Sequence, residues 1–369
     1  MSNKKLTILG ITAIVMVALA GVQMRLSNTH SSVSISGPSY LLQGLDTNRI
    51  ASIVLGKADD QVILTRRGSR FVVENKDDYP AKTTEINGLI AACLDIKTAE
   101  LVTANPANHA DLGVTETTAA HVVKLFGADN KPITGLLISA PNKDKDGSYV
   151  RLLSSNDVYL TIDRSWPSRF STMDFIDTTL LSIDRDKITS VTITSPDETY
   201  TLKAEGTDSI ITLENMPAGK KLKDTEYESV FSIITNLTFD DVKKEASDTS
   251  DLKFDSTCIC RLDDSTVYTL AVAEQNDKTY IKCEAMFTDQ TLVTKERQVE
   301  SEEELKKKEA ILLARNDARK FSEKHAGWIY QIPKYKADNI KKKLDDLLED
   351  VEKKQETGVS QESDDENNA

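Results

Sequence analysis

The chain has 369 residues, enough for two domains of ordinary size, and its 39% hydrophobic and 28% charged residues supply cores without loss of solubility. A net charge of −13 argues against the basic surface that phosphate neutralisation requires, so no nucleic-acid partner is expected. Glycine (15) and proline (9) are sparse, which favours regular elements over long irregular tracts.

Between Lys5 and Arg25 lie 19 uncharged residues, LTILGITAIVMVALAGVQM. As a helix they would reach roughly 28 Å, near the hydrocarbon thickness of a bilayer. Lys4, Lys5 and the amino terminus form the more basic flank, which sets the N-terminus in the cytoplasm and the main body outside the cell membrane. Residues 1–25 therefore read as an uncleaved single-pass anchor, because the apolar run continues past Ala18-Leu-Ala20. A signal peptide cleaved at that small-residue site is the rival reading. Residues 26–43, rich in serine and without a long apolar run, read as a tether.

Residues 44–178 open with three strand-like runs, Ile50–Leu55, Gln61–Thr65 and Arg70–Glu74. Pro80 leads to a helix with Ile86, Leu89, Ile90 and Cys93 at helical spacing, which Thr83 or Thr84 can cap. Further strands follow at His121–Phe126, Gly135–Ser139, Ser148–Leu153 and Val158–Ile162. Residues 179–348 repeat this order. Strands at Ile188–Ile193, Thr199–Lys203 and Ile210–Glu214 precede a helix carrying Tyr227, Val230, Phe231, Ile234 and Leu237 on one face, with Thr225 and Glu228 spaced as a capping box. Then come Thr257–Leu262, Val267–Val272 and Thr279–Cys283, with a closing strand displaced to Gly327–Ile332. A charged insertion at about 290–325 reads as helical, with Ser301 and Glu304 as its capping signal. An amphipathic helix through Ile340, Leu344, Leu347, Leu348 and Val351 closes the body, and the acidic tail 349–369 is expected to be disordered. The predicted fold class is α+β: a single transmembrane helix, then two tandem copies of a mainly antiparallel sheet with a packed helix, and a helical insertion in the second copy. Loops too short for parallel crossovers dictate the antiparallel sense.

Chemistry is harder to find. The stretch Asn142-Lys-Asp-Lys-Asp-Gly-Ser148 spaces oxygen ligands like the start of a calcium loop, but the twelfth position, where a bidentate acid belongs, is Leu153. The aligned stretch in the second copy, EQNDKT, loses the alternating acids and the glycine, so a turn between strands explains both. His30, His109, His121 and His325 are scattered and read as surface or structural residues. Of the acid pairs Asp77-Asp78, Asp240-Asp241 and Asp263-Asp264, the last sits between strand runs and reads as a turn. Cys93 and Cys283 stand apart from the strand pair Cys258 and Cys260; buried thiols are the plain reading, and a bridge involving Cys283 stays open. No catalytic residue, cofactor or metal site is assigned. Trp166, Trp328 and Tyr330 are candidate partner contacts, although core packing is the plainer use of aromatic residues near the ends of the two copies. On the insertion, Glu304, Lys308 and Arg315 are the further candidates, since an insertion in a repeated unit is a natural partner surface. Deleting residues 295–324 is expected to weaken partner capture and leave the body folded.

Several stretches together resemble the bacterial family catalogued as domain of unknown function 4340. These are the short N-terminal anchor, the GLDTNRIASIVL opening, the run YPAKTTEINGLIAACLDIKTAELV before Leu112-Gly113-Val114, and the paired strands of GSYVRLLSSNDVYLTI. The similarity is clearest over residues 44–195. The resemblance implies an envelope protein linked to ABC transporters and to auxiliary proteins of the gliding-motility type. On that basis the expected function is a non-catalytic, membrane-anchored extracytoplasmic accessory or adaptor protein of an ABC-type transport system, with permease or auxiliary subunits as partners. A ligand-binding or sensing module for a polysaccharide or peptide in the envelope is the alternative, and a hydrolase the third.

Overall fold

In the computed structural model the described residues are 39–351, apart from 59, 143–145, 163–169, 207–209, 224, 246–250 and 295–300. The expected anchor, most of the tether, Trp166 and the tail beyond Val351 lie outside them. Among the described residues no helix is long and apolar enough to cross a membrane. Among the described residues the architecture is α+β, with antiparallel sheets and four α-helices. In chain order the elements begin with β1 (Ser39–Tyr40), β2 (Ser52–Leu55), β3 (Val62–Arg67), β4 (Arg70–Val73), β5 (Tyr79–Pro80) and α1 (Thr83–Leu94). After these come β6 (Lys97–Thr103), β7 (His121–Phe126), β8 (Pro132–Pro141), β9 (Ser148–Leu152) and β10 (Val158–Thr161). The later part holds β11 (Thr179–Leu181), β12 (Ile188–Thr194), β13 (Thr199–Glu205), β14 (Ile210–Leu213), β15 (Lys220–Leu222), α2 (Glu226–Phe231), β16 (Leu237–Thr238) and β17 (Asp241–Lys244). It closes with β18 (Phe254–Leu262), β19 (Thr266–Gln275), β20 (Lys278–Phe287), α3 (Glu302–His325), β21 (Trp328–Ile332), α4 (Lys334–Ile340) and β22 (Leu348–Asp350).

The chain divides into two compact units. The first takes the described residues up to Gln61 together with Thr84–Phe170; the second takes Val62–Thr83 and the described residues from Ser171. Within the first unit the strand order is β1-β6-β10-β9-β8-β7-β2, and every pairing is antiparallel. Within the second, an eight-stranded antiparallel sheet runs β14-β13-β12-β18-β19-β20-β21-β17. The order β2-β7-β8-β9-β10-β6 therefore has its counterpart in β12-β18-β19-β20-β21-β17, and β3 pairs with β4 as β13 pairs with β14. The segment 62–83 joins the second unit for visible reasons: Lys76 forms an ion pair with Asp241 at 2.6 Å, and Asp77 accepts a hydrogen bond from the Lys244 amide at 2.9 Å.

Alternation along the strands builds the cores. In β12, Ile188, Val191 and Ile193 are buried, and in β19 buried Leu270 lies between Cys258 of β18 and Cys283 of β20, with buried Val272 opposite Ile281. The β19–β20 hairpin turns on Asn276 and Asp277, both at positive φ, the signature of a two-residue type I′ turn whose twist matches that of the strands. In the first unit Pro141 of β8 pairs with Ser148 of β9. Gly147 before it has φ +126°, and a Cβ there would stand 2.1 Å from the Thr161 carbonyl oxygen, so the position requires glycine.

Several sequence expectations are corrected. Ser39 and Tyr40, assigned to the tether, pair with Thr98 and Lys97 of β6, because the backbone of an edge strand gains hydrogen bonds there that a free tether lacks. The second-copy helix stops at Phe231, and Ile234 and Leu237 are buried from a turn and from β16. Its capping box is not formed, because the Glu228 carboxylate receives both Nε and Nη2 of Arg185, at 2.6 and 2.8 Å. The closing amphipathic helix is three elements: α4 ends at Ile340, a 3₁₀ turn covers Leu344–Leu347, and Leu348 opens β22. The tail correspondingly begins later than 349, since Glu349 and Asp350 pair with Lys221 and Lys220. By contrast, the capping box of Ser301 and Glu304 is present at the start of α3.

Candidate functional site

The second unit contains a groove of about 360 Å³ where β20 parts from β21 under the C-terminal end of α3. Pairing of β20 with β21 covers Thr279–Ile281 only. Beyond it, Ser322 of α3 acts as a surrogate strand: its Oγ donates to the Ala285 carbonyl at 2.7 Å and accepts from the Ala285 amide at 2.8 Å. Thr269 and Ala271 of β19 line the groove opposite Glu284 and Lys282 of β20, with His325 and Trp328 at the exit of α3. Lys282 is already committed, with its ammonium 2.5 Å from Glu245 and 4.4 Å from the centre of the Phe254 ring.

His325 is 2% exposed, and its Nδ1 lies 2.6 Å from the Tyr330 hydroxyl, which is wholly buried. Burial, with Lys324 adding to it, pushes the imidazole down to about 4, so the ring is neutral near pH 7. Burial raises both Tyr330 and Tyr79, whose rings stand edge-to-face at 6.3 Å. Phe321 stacks 4.3 Å from His325, and Phe239 and Trp328 complete the aromatic cluster, Trp328 standing edge-to-face with Tyr79 at 4.8 Å. The Tyr330 hydroxyl thus orients the His325 ring, whose Nε2 has no hydrogen-bond partner among the described residues. The Thr269 and Glu284 side chains and the Trp328 indole N–H likewise have none there.

The candidate residues read from sequence separate on this frame. Trp328 lines the groove and Tyr330 supports it from beneath. Glu304 is the N3 residue of the α3 capping box, and Lys308 donates to the Thr294 carbonyl at 2.9 Å. Arg315 donates to the Thr291 carbonyl at 3.0 Å and lies over the Phe287 ring, so it ties α3 to its own preceding loop. Trp166 lies outside the described residues. His325, Tyr79, Thr269 and Glu284 carried no local motif and were missed as a set. The acid pairs serve the backbone: Asp77 and Asp78 adopt positive φ, Asp241 binds Lys76, and Asp264 accepts from the Thr266 amide at 2.8 Å. Among the described residues no group of three His, Cys, Asp or Glu side chains is placed to hold a metal. All four cysteines are free and buried. Cys258 and Cys283 both lie opposite Leu270 from its two sides, which separates them by roughly 10 Å and rules out a bridge.

The family model described as Domain of unknown function (DUF4340) matches residues 72–257, half of the chain. The chain belongs to this family. Comparison with curated proteins and with solved structures returned no match. The DUF4340 match runs from within β4 to within β18, so α3 and most of the groove lie beyond it.

Proposed function

We propose that this DUF4340 member is a non-catalytic, membrane-anchored extracytoplasmic accessory or adaptor protein of an ABC-type transport system. In this reading the body consists of two tandem copies of one α+β unit carried outside the cell by the N-terminal apolar segment. The observation that carries the adaptor reading is α3. Its inner side, with Ala318, Phe321 and His325, is rooted in the second unit, whereas Leu305, Leu312 and Leu313 are each at least half exposed. Leu305 and Leu312 lie seven residues apart and so share one face, a spacing suited to burial against a partner. Co-purification of the full chain from detergent with permease and ATPase subunits tests it. The expected result is a stable complex, weakened at least tenfold by replacing all three leucines with glutamate. A chain that purifies alone, or capture unchanged by those replacements, rejects the reading. A second reading, an envelope ligand-binding module, is favoured by the groove beside His325.

A further inference from the structure

We infer that the tip of the β3–β4 hairpin, with Arg66, Arg67 and Arg70, docks on an anionic phospholipid surface. The inference rests on the membrane-anchored part of the proposed function and not on capture of transporter subunits.

The hairpin turns through Gly68 and Ser69, with Arg67 opposite Arg70 and Arg66 opposite Phe71. Gly68 takes φ +64° at the first position of this two-residue turn, where glycine is favoured. From Thr65 to Phe71 the hairpin carries three arginines and no acid, in a chain of net charge −13. The register sets Arg67 and Arg70 directly across from each other on one face, where like charges repel. Asp78 answers them only in part: its carboxylate stands 3.4 Å from Arg67 Nε with both side chains about half exposed, so the pair is weak. Arg66 lies over the Phe71 ring at 4.9 Å, and neither it nor Arg70 has an ion pair among the described residues. All three arginines are exposed, as are Gly68 and Ser69. The base of the hairpin is fixed, by Lys76 on Asp241, Asp77 on the Lys244 amide and Tyr79 against Trp328. A held base thus carries a free cationic tip.

The arrangement selects the partner. Side chains alternate along a strand, so Arg66 lies on the opposite face from Arg67 and Arg70. The three guanidiniums therefore cannot converge on one phosphate or one carboxylate, as a site for a small anion requires. A layer of phosphates meets that geometry, because a narrow tip pressed among headgroups is surrounded by them on both faces. The net negative charge of the chain opposes a broadside approach to an anionic bilayer, so an approach led by the hairpin is favoured. In the anchored reading the 19 uncharged residues before Arg25 keep the bilayer within reach, and a gain of roughly fivefold per arginine then suffices.

The test uses the full chain reconstituted in vesicles of phosphatidylcholine, alone or with phosphatidylglycerol. The four native cysteines are buried, so Ser69→Cys accepts a fluorophore selectively, and nitroxide-labelled headgroups quench a fluorophore that touches them. Quenching should be about threefold greater with phosphatidylglycerol and should vanish between about 0.1 and 1 M salt, as the Debye length contracts. Arg67→Gln combined with Arg70→Gln should weaken docking at least tenfold without moving the thermal midpoint. Equal quenching in both lipids, quenching unmoved by the substitutions, or equal quenching of a label at exposed Ser182 would each overturn the inference. Saturable binding of inorganic phosphate or of an oligoaspartate peptide in phosphatidylcholine vesicles, lost in the double variant, would make a small anion or an acidic protein the occupant and overturn it equally. Release of the chain from vesicles by alkaline carbonate would reject the anchor and this inference with it, whereas retention without lipid-dependent quenching would reject the inference alone.

Discussion

At the scale of single residues, two positions have measurable consequences. Gly147→Ala forces a Cβ into the Thr161 carbonyl oxygen at a φ that L-residues avoid, and should cost at least ~2 kcal/mol. Gly44, at φ +71° with nothing within 4 Å of the added carbon, should cost only about 1 kcal/mol on the same change. Urea midpoints of the two variants check the difference. His325 makes stability depend on pH. Its native pKa, about 4, lies below the ordinary value of 6.5, so between these values the unfolded chain binds a proton that the native chain does not. Stability is therefore full above pH 6.5 and falls as pH drops towards 4, by up to about 3 kcal/mol. Unfolding curves across that range should show the slope, and His325→Gln should flatten it. No local pattern singles out this histidine, since its partner Tyr330 and its neighbour Asp177 belong to other elements.

At the scale of elements, α3 shows what periodicity reveals and what it hides. Its start was legible from Ser301 and Glu304, because a capping box is a contact over three residues. Its role as part of the body was not, because Ser322 completes the hydrogen bonding of Ala285 and Phe321 packs on Tyr268 at 5.1 Å. The expectation that deleting 295–324 leaves the body folded is therefore reversed: the deletion should abolish cooperative unfolding as followed by near-UV circular dichroism. Ser322→Ala, which strands one donor and one acceptor, should cost ~1–3 kcal/mol. Ser301→Ala should cost about 1 kcal/mol and speed hydrogen exchange only in the first turns of α3. The failed box at α2 teaches the converse: Thr225 and Glu228 have the right spacing, but a bidentate guanidinium from Arg185 outcompetes a local backbone amide for the carboxylate.

At the scale of the whole molecule, the four buried thiols report on global opening. Burial alone raises Cys93 to about 12 and lifts Cys283 further, so neither forms a thiolate in the native state at neutral pH. A thiol reagent should find no fast-reacting cysteine in the native reduced chain and four in denaturant; rapid native labelling would show that the units open locally.

The sequence by itself determined the α+β class, the antiparallel sense of the sheets, the family and most strand positions, because strand alternation, helix spacing and turn residues act over a few neighbours. It also read NKDKDGS as a turn between strands, and the structure added why Gly147 must be glycine. Only the tertiary structure decided that Ile340–Val351 breaks into three elements, that Glu228 turns to Arg185, and that β1 leaves the tether. It alone brought Thr269, Glu284, His325 and Trp328 to one groove. Such a site depends on which strand parts from which and what covers the exposed edge, and that is settled by packing between segments far apart in the chain.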